Sequence, residues 1–141
     1  MEGKMKVAVM NGIGKMGYTT RDIPTPKDDE VLVKLEYVGI CGSDMHYYET
    51  GAIGHYVVEP PFVLGHEPGG TVVEVGKKVT HLKVGDRVAG EAHVGCGKCD
   101  NCKKGHYTVC LNYGKDGHDG GLDMGHRHYG FYWQGANAEY N

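Results

Sequence analysis

Hydrophobic positions along the N-terminal half of the chain fall in short runs that predict strands rather than long helices. Residues 5–10 and 18–23 predict two short strands on either side of a glycine-rich turn. Residues 30–40 alternate well enough for a half-buried strand, and residues 70–75 predict a β-branched strand that ends at Gly76. We therefore expect a mainly β chain.

Shorter elements are predicted between and after these strands. Residues 42–49 lack proline and predict a short helix, which Ser43 could cap. Gly85 predicts a turn into another strand, and residues 136–140 predict the start of a closing strand. Residues 93–130 have a loop-like composition with few apolar side chains. We therefore expect that segment to need a cross-link, such as a bound metal ion, to stay ordered.

One glycine motif raises the question of a cofactor site. Residues 12–17 follow a strand-like run with the pattern Gly-x-Gly-x-x-Gly, which is the outline of a dinucleotide-binding fingerprint. That fingerprint needs a helix after its third glycine, because the helix N-terminus holds the pyrophosphate. Here Gly17 is followed by β-branched residues, Pro24 and Pro26, which are poor material for a helix. We therefore predict a plain hairpin and no cofactor-binding residue.

Composition limits the class of protein further. The chain has 141 residues, the size of one domain, and its 24 glycines favour tight turns. A net charge of −3 with mixed signs predicts neither a nucleic-acid partner nor a membrane surface. No apolar run approaches the length of a membrane span or a signal sequence, so we expect a soluble, cytoplasmic protein.

The cysteines carry the strongest chemical signal. Four of the five lie in the spacing Cys96-x2-Cys99-x2-Cys102-x7-Cys110, which can close a tetrahedral zinc site. An iron–sulfur cluster is the rival interpretation, although ferredoxin motifs continue C-x3-C-P instead of with a gap of seven. Disulfides or free thiols are the third interpretation of these cysteines. We favour structural zinc, because crowded cysteines without a secretory signal are typical of metal sites.

A second candidate group consists of Cys41, His66 and Glu67. Taken singly, a cysteine is commonly a small core residue and a histidine is commonly held by a hydrogen bond. All three side chains nevertheless suit zinc, and three protein ligands would leave a fourth position for a substrate. Spacing alone leaves the structural and the catalytic interpretations open.

Several ordered motifs resemble a known family. They are GICGSDMHYY, FVLGHEPGGTVVEVGKKV, VGDRV and CGKCDNCKKGHYTVC, with a final GANAEY. Together they resemble the zinc-dependent medium-chain dehydrogenase/reductase family, and most strongly its sorbitol (polyol) dehydrogenase branch, over most of residues 5–113. The resemblance implies a mainly β, GroES-like, partly open β-barrel with short helices, forming a catalytic domain over residues 1–141. It also implies a zinc-stapled loop lobe at about residues 93–113.

The resemblance further implies two metal sites of different kinds. One is a catalytic zinc held by Cys41, His66 and Glu67, with water or substrate in the fourth place. The other is a structural zinc held by the four cysteines of the lobe. The resemblance implies that the catalytic site belongs to an enzyme that oxidises a polyol or alcohol to a ketone or aldehyde with NAD(P) as the hydride acceptor.

Three more residues receive roles from the same resemblance. Ser43 matches the hydroxyl that takes the alcohol proton, and His46 matches the histidine that can pass it to solvent. Tyr47 lies where the polyol branch lines its substrate pocket. The partner implied for this site is therefore a small polyol or alcohol.

The sequence also departs from the family pattern. Family members carry a nucleotide-binding Rossmann domain after this region, whereas the chain ends at Asn141, so we expect a truncated catalytic domain that is inactive alone. The alternative is a zinc-stabilised structural or interaction module without catalysis. A chaperonin-10-like ring subunit is a weaker third hypothesis, from fold analogy alone.

Self-association and a further metal site are two smaller expectations. Strand edges that would normally continue into the cofactor domain make self-association, and hence a homo-oligomer, an expectation. His118, His126 and His128 lie in a His- and Gly-rich stretch that could bind metal, although a solvated loop is the favoured interpretation.

Overall fold

The structure, a computed structural model, describes residues 1–54, 56–112, 130 and 134–141. Strands dominate these residues, as predicted, and the helices are short. The elements in chain order are β1 (Lys4–Gly12), β2 (Lys15–Asp22), β3 (Val31–Gly39), α1 (Gly42–Thr50), β4 (Ala52–Ile53), β5 (Tyr56–Val57), β6 (Glu67–Val75), β7 (Arg87–Ala89), α2 (Asp100–Lys103) and a 3₁₀ turn (Tyr107–Val109).

The glycine motif lies in a β-hairpin, which confirms the prediction made from its flanking residues. Strands β1 and β2 pair antiparallel, with Met10 opposite Met16. The turn between them contains Gly14, whose φ of 68° is costly for residues with a Cβ. Gly17 sits inside β2, opposite Val9, and opens no helix. The motif therefore has no helix N-terminus with which to hold a pyrophosphate.

A three-stranded antiparallel sheet forms the centre of the fold, in the order β3-β6-β7. The β3–β6 register runs from Val31 opposite Val75 to Gly39 opposite Glu67. In an antiparallel pair, the residues that follow one strand lie beside the residues that precede the other. The loop after β3 and the loop before β6 therefore meet at one edge of the sheet, where the candidate site forms.

The C-terminal residues join the hairpin to this sheet. Ala138 forms an isolated bridge with Val7 of β1, and Tyr140 forms one with Lys34 of β3. Backbone bonds such as Leu35 N–H to Glu139 C=O, at 2.9 Å, support the same arrangement. The predicted closing strand thus lies where it was expected, but as isolated bridges rather than as a continuous strand. The result is a partly open barrel.

Two apolar clusters are formed by buried side chains of the described residues. The first contains Met10, Tyr47, Val58, Phe62 and Leu64, and the second contains Met5, Val7 and Val63. Strand β1 contributes Met5 and Val7, two positions apart on one face, to the second cluster, and Met10, on the opposite face, to the first. Burying each side chain of this kind stabilises the fold by about 1.5–3 kcal/mol. The first cluster packs beneath α1 and so supports the helix that carries part of the site.

Candidate metal centres and substrate pocket

The four clustered cysteines converge on one point. The sulfur atoms of Cys96, Cys99, Cys102 and Cys110 all lie within 4.8 Å of one another. Two of the pairs, Cys96–Cys102 and Cys99–Cys110, are separated by 3.9 Å. A tetrahedral site with Zn–S bonds of about 2.3 Å places its sulfurs about 3.8 Å apart, whereas a disulfide brings them to about 2.0 Å. The geometry fits one tetrahedral ion and excludes disulfides among these four.

Backbone amides prepare these sulfurs to be thiolates. The N–H groups of Lys98 and Cys99 donate to Cys96 Sγ at 3.4 and 3.3 Å, and the Asn112 side-chain amide donates at 3.3 Å. The two backbone donors lead in lowering the pKa of the Cys96 thiol to about 6. The backbone N–H of Cys102 likewise lowers the pKa of Cys99. Partial loss of hydration instead raises the pKa of Cys102 to about 11. These donors therefore favour the thiolate form of Cys96 and Cys99, which is the form that binds a metal ion.

The sheet register assembles a second group of donors. Cys41 follows β3, His66 precedes β6, and Glu67 is the first residue of β6. One ligand atom from each of the three lies within 4.8 Å of the others. Sulfur, nitrogen and carboxylate oxygen are ligand types that zinc accepts together. Among the residues that the structure describes, three protein donors converge here, so this group fits a metal site with an open position.

Gly39 makes room for the carboxylate of this group. It is the residue opposite Glu67 in the β3–β6 pair. A Cβ built at Gly39 would lie 2.2 Å from Glu67 Oε2 and 3.1 Å from Glu67 Cβ. The Glu67 side chain therefore folds over a residue that has no side chain of its own, which brings its carboxylate toward Cys41 and His66.

Asp44 is a site residue that the sequence reasoning missed. It is buried in α1, with 6% of its surface exposed. Its carboxylate accepts the backbone N–H of Cys41 at 3.0 Å and that of Gly65 at 3.2 Å. Its Oδ1 also lies 3.6 Å from His66 Nδ1. One carboxylate thus connects both loops that carry ligand candidates, and an outer carboxylate of this kind orients a ligating histidine.

The start of α1 differs from the prediction. Cys41 is the N-cap residue and Gly42 the first helical residue, so Ser43 lies within the helix and is not its cap. The Asp44 carboxylate takes the capping role by accepting the Cys41 N–H. Ser43 instead turns toward the candidate ligands, with its Oγ 3.4 Å from His66 Nε2.

The other two residues predicted on this helix have contrasting positions. His46 is exposed to solvent. Tyr47 is fully buried in the apolar cluster with Met10 and Phe62, and it does not line the cavity described next. We therefore place Tyr47 in the core, which differs from its expected position on the pocket wall. Helical periodicity explains the difference, since successive residues point about 100° apart.

A cavity of about 480 Å³ lies against the second ligand group. One wall is formed by Cys41, Ser43, His66 and Glu67. The loop after β7 also lines the cavity and contributes Glu91 and His93 together with small residues. Sequence reasoning did not single out Glu91 or His93, because nothing in their spacing shows that the loop returns to this cavity.

An open antiparallel barrel with two convergent donor groups is the architecture of a GroES-like domain adapted to bind metal. Residues 27–141 match the family model described as the alcohol dehydrogenase GroES-like domain. The chain belongs to this family, which confirms the resemblance seen in the motifs. Among the helices of the described residues, none is long and apolar enough to cross a membrane.

Individual relatives agree with this assignment. The sorbitol dehydrogenase of Bacillus subtilis (strain 168) is 53% identical over 106 residues, which are 75% of this chain and 30% of that protein. The galactitol-1-phosphate dehydrogenase of Escherichia coli superposes with a TM-score of 0.78 at 34% identity, over 97% of this chain and 35% of that one. A cobalt- and zinc-bound thermostable alcohol dehydrogenase from Pyrobaculum aerophilum gives a TM-score of 0.77 at 26% identity, over 99% and 39% of the two chains.

The chain matches only part of each of these longer proteins. The chain spans about 30% of the length of the curated relative that it matches. The predicted domain limits, 1–141 with a lobe at about 93–113, stay predictions. His118, His126 and His128 lie outside the described residues.

Proposed function

We propose that the chain is the zinc-binding and substrate-binding unit of an NAD(P)-dependent polyol or alcohol dehydrogenase. The observation that supports this function is the convergence of Cys41, His66 and Glu67 within 4.8 Å on the wall of a cavity. Polyols are the favoured substrate class, because two of the similar proteins are named for sorbitol and galactitol-1-phosphate. The product would be a ketone or an aldehyde.

The two donor groups would have different roles. Four protein thiolates leave no position for a substrate, so the lobe of Cys96, Cys99, Cys102 and Cys110 would hold a structural zinc. The three-residue group would hold a catalytic zinc. There the metal supplies a Lewis acid that lowers the pKa of a bound hydroxyl group.

The residues of α1 suit the removal of a proton from that hydroxyl. Ser43 Oγ lies beside His66, within reach of the same cavity, so it can accept the proton of the substrate hydroxyl while releasing its own. His46 is three residues further along the helix and exposed, which places the two side chains on neighbouring positions of one helix face. An imidazole changes charge near neutral pH and can pass the proton to solvent.

Asp44 would hold this arrangement in place. Its buried carboxylate accepts the Cys41 and Gly65 N–H groups and lies beside the imidazole of His66. The nicotinamide cofactor would accept the hydride and would bind outside the residues described, since the glycine motif of residues 12–17 lies in the hairpin turn and not before a helix.

Cobalt substitution tests this function directly. Cobalt at an open site changes its visible spectrum when a substrate hydroxyl enters the coordination sphere, whereas cobalt held by four thiolates has no position to exchange. We expect xylitol to change the spectrum of the cobalt-loaded chain. We expect His66→Ala to abolish the change, and His81→Ala, at an exposed histidine elsewhere, to preserve it. An unchanged spectrum in the unsubstituted chain would contradict the proposal.

A further inference from the structure

The cavity that the candidate ligands line is also lined by an organised polar pair, Glu91 and His93. Glu91 Oε1 accepts the backbone N–H of His93 at 3.0 Å and lies 2.8 Å from His93 Nδ1. One carboxylate oxygen thus holds both the backbone and the ring of the same histidine. Neither residue belongs to the two groups of candidate metal ligands, although both line the cavity with Cys41 and His66.

The cysteine lobe supports this pair. Tyr107 lies in the 3₁₀ turn between Cys102 and Cys110, and its hydroxyl donates to Glu91 Oε2 at 3.3 Å. A Cβ added at Gly95 would lie 2.8 Å from the Cβ of Tyr107, so the tyrosine packs directly against the backbone of the lobe. The position of Glu91, and through it the ring of His93, therefore depends on the lobe.

The hydrogen bond to Glu91 determines what the imidazole offers to a ligand. When Nδ1 carries the hydrogen that is donated to the carboxylate, Nε2 of the neutral ring is an acceptor. A substrate hydroxyl can donate to such a nitrogen. The other lining residues near this pair include Pro68, Ala89 and Ala92, which offer apolar contact. The lining of the cavity thus combines the candidate metal ligands, apolar surface and one further polar pair.

We propose that Glu91 and His93 form a subsite that binds a second hydroxyl of the substrate, distant from the hydroxyl that reacts. In this arrangement His93 contacts the substrate, and Glu91 and Tyr107 are positioning residues. The inference rests on the proposed function and deepens it, because it identifies the residues that distinguish a polyol from a simple alcohol. A site built to hydrogen-bond a hydroxyl group rejects an analogue that lacks it, since its polar groups then lose their partner.

Histidine ring ¹⁵N spectra of the zinc-loaded chain provide the test, with xylitol and 1-pentanol as probes of equal carbon number. We expect xylitol to shift the ring signals of both His66 and His93, and 1-pentanol to shift those of His66 alone. His93→Ala should weaken xylitol binding at least tenfold and leave 1-pentanol binding within twofold. His93→Gln, which retains a polar group near the position of Nε2, should recover part of the loss. Tyr107→Phe should weaken xylitol binding about threefold.

The outcomes separate this inference from the function on which it rests. If xylitol shifts His66 but not His93, or if His93→Ala weakens both probes equally, the subsite is overturned and the proposed function stands. If neither probe shifts His66, the proposed function fails and the subsite fails with it. His81→Ala serves as the matched control for a lost histidine, and zinc content checks that each variant remains folded and loaded.

Discussion

The two donor groups of this chain are built in opposite ways. The cysteine lobe takes all four ligands from one short segment, in which backbone N–H groups point at the sulfurs of Cys96 and Cys99. The group of Cys41, His66 and Glu67 takes its donors from two strands, at the one end of the pair where β3 finishes and β6 begins. The first depends on local spacing, whereas the second depends on the register of a sheet. Changes in the sheet should therefore affect one group and spare the other.

The largest effect is expected from breaking the lobe. Cys99→Ser removes one of four converging sulfurs, and structural zinc binding in small modules releases roughly 10–16 kcal/mol. We expect loss of the lobe zinc and a fall of at least about 3 kcal/mol in the free energy of unfolding, measured by urea denaturation. Cys41→Ser is the control and should leave the lobe zinc in place. Retention of lobe zinc in Cys99→Ser would contradict the four-thiolate assignment.

A neighbouring pair of glycines tests the role of the sheet register. A Cβ at Gly70 would lie 2.1 Å from the backbone oxygen of Lys34, whereas at Gly69 the nearest atom would be 3.9 Å away. Gly70→Ala should therefore displace β6 against β3, lower the free energy of unfolding by about 1–3 kcal/mol, and weaken metal binding at Cys41, His66 and Glu67. Gly69→Ala should have none of these three effects. Equal behaviour of the two variants, measured by denaturation and zinc titration, would refute the dependence on register.

A smaller and more local effect is expected at Gly39. Its substitution by alanine should push the Glu67 carboxylate aside, because the added Cβ would meet Oε2 at 2.2 Å. We expect about a tenfold loss of zinc affinity at this group, comparable to the loss of an outer support, with little change in stability. Gly42→Ala is the matched control, since a Cβ there meets nothing within 4 Å. Competition with a chromophoric chelator measures both affinities.

The smallest effect is the pH dependence of the metal-free lobe. Folding lowers the pKa of Cys96 from 9.0 to about 6. The stabilisation from this thiolate is therefore complete above pH 9.0 and is lost as the pH falls toward 6. The difference in stability between the metal-free chain and its Cys96→Ser variant should grow as the pH rises through that window. A difference that is constant with pH would show that Cys96 is not a thiolate in the folded chain.

The contrast between local spacing and sheet register also explains which features could be predicted from the sequence. The hairpin, β3 and the cysteine lobe follow from local alternation and local spacing, so each was predicted close to its observed position. The meeting of Cys41 with His66 depends on long-range pairing, and spacing alone could not establish it. Asp44 was missed because its burial is not visible in a helix whose sequence is mostly polar.

The loop after β7 and the position of Tyr47 show the same limit. Glu91 and His93 were missed because no local pattern shows that their loop returns to the cavity. The family resemblance placed Tyr47 at the pocket, yet the rotation of the helix buries it in the core. Residues whose roles depend on the direction of a side chain require the fold before they can be placed.

The most direct test of the account is the amount of zinc bound per chain, measured by elemental analysis on protein prepared without chelators. The account predicts two zinc ions per chain, one in each donor group. After His66→Ala it predicts one zinc ion, bound by the four cysteines. After Cys99→Ser it also predicts one zinc ion, bound by Cys41, His66 and Glu67. A single zinc that is unaffected by His66→Ala would contradict the claim that the strands β3 and β6 assemble a metal site.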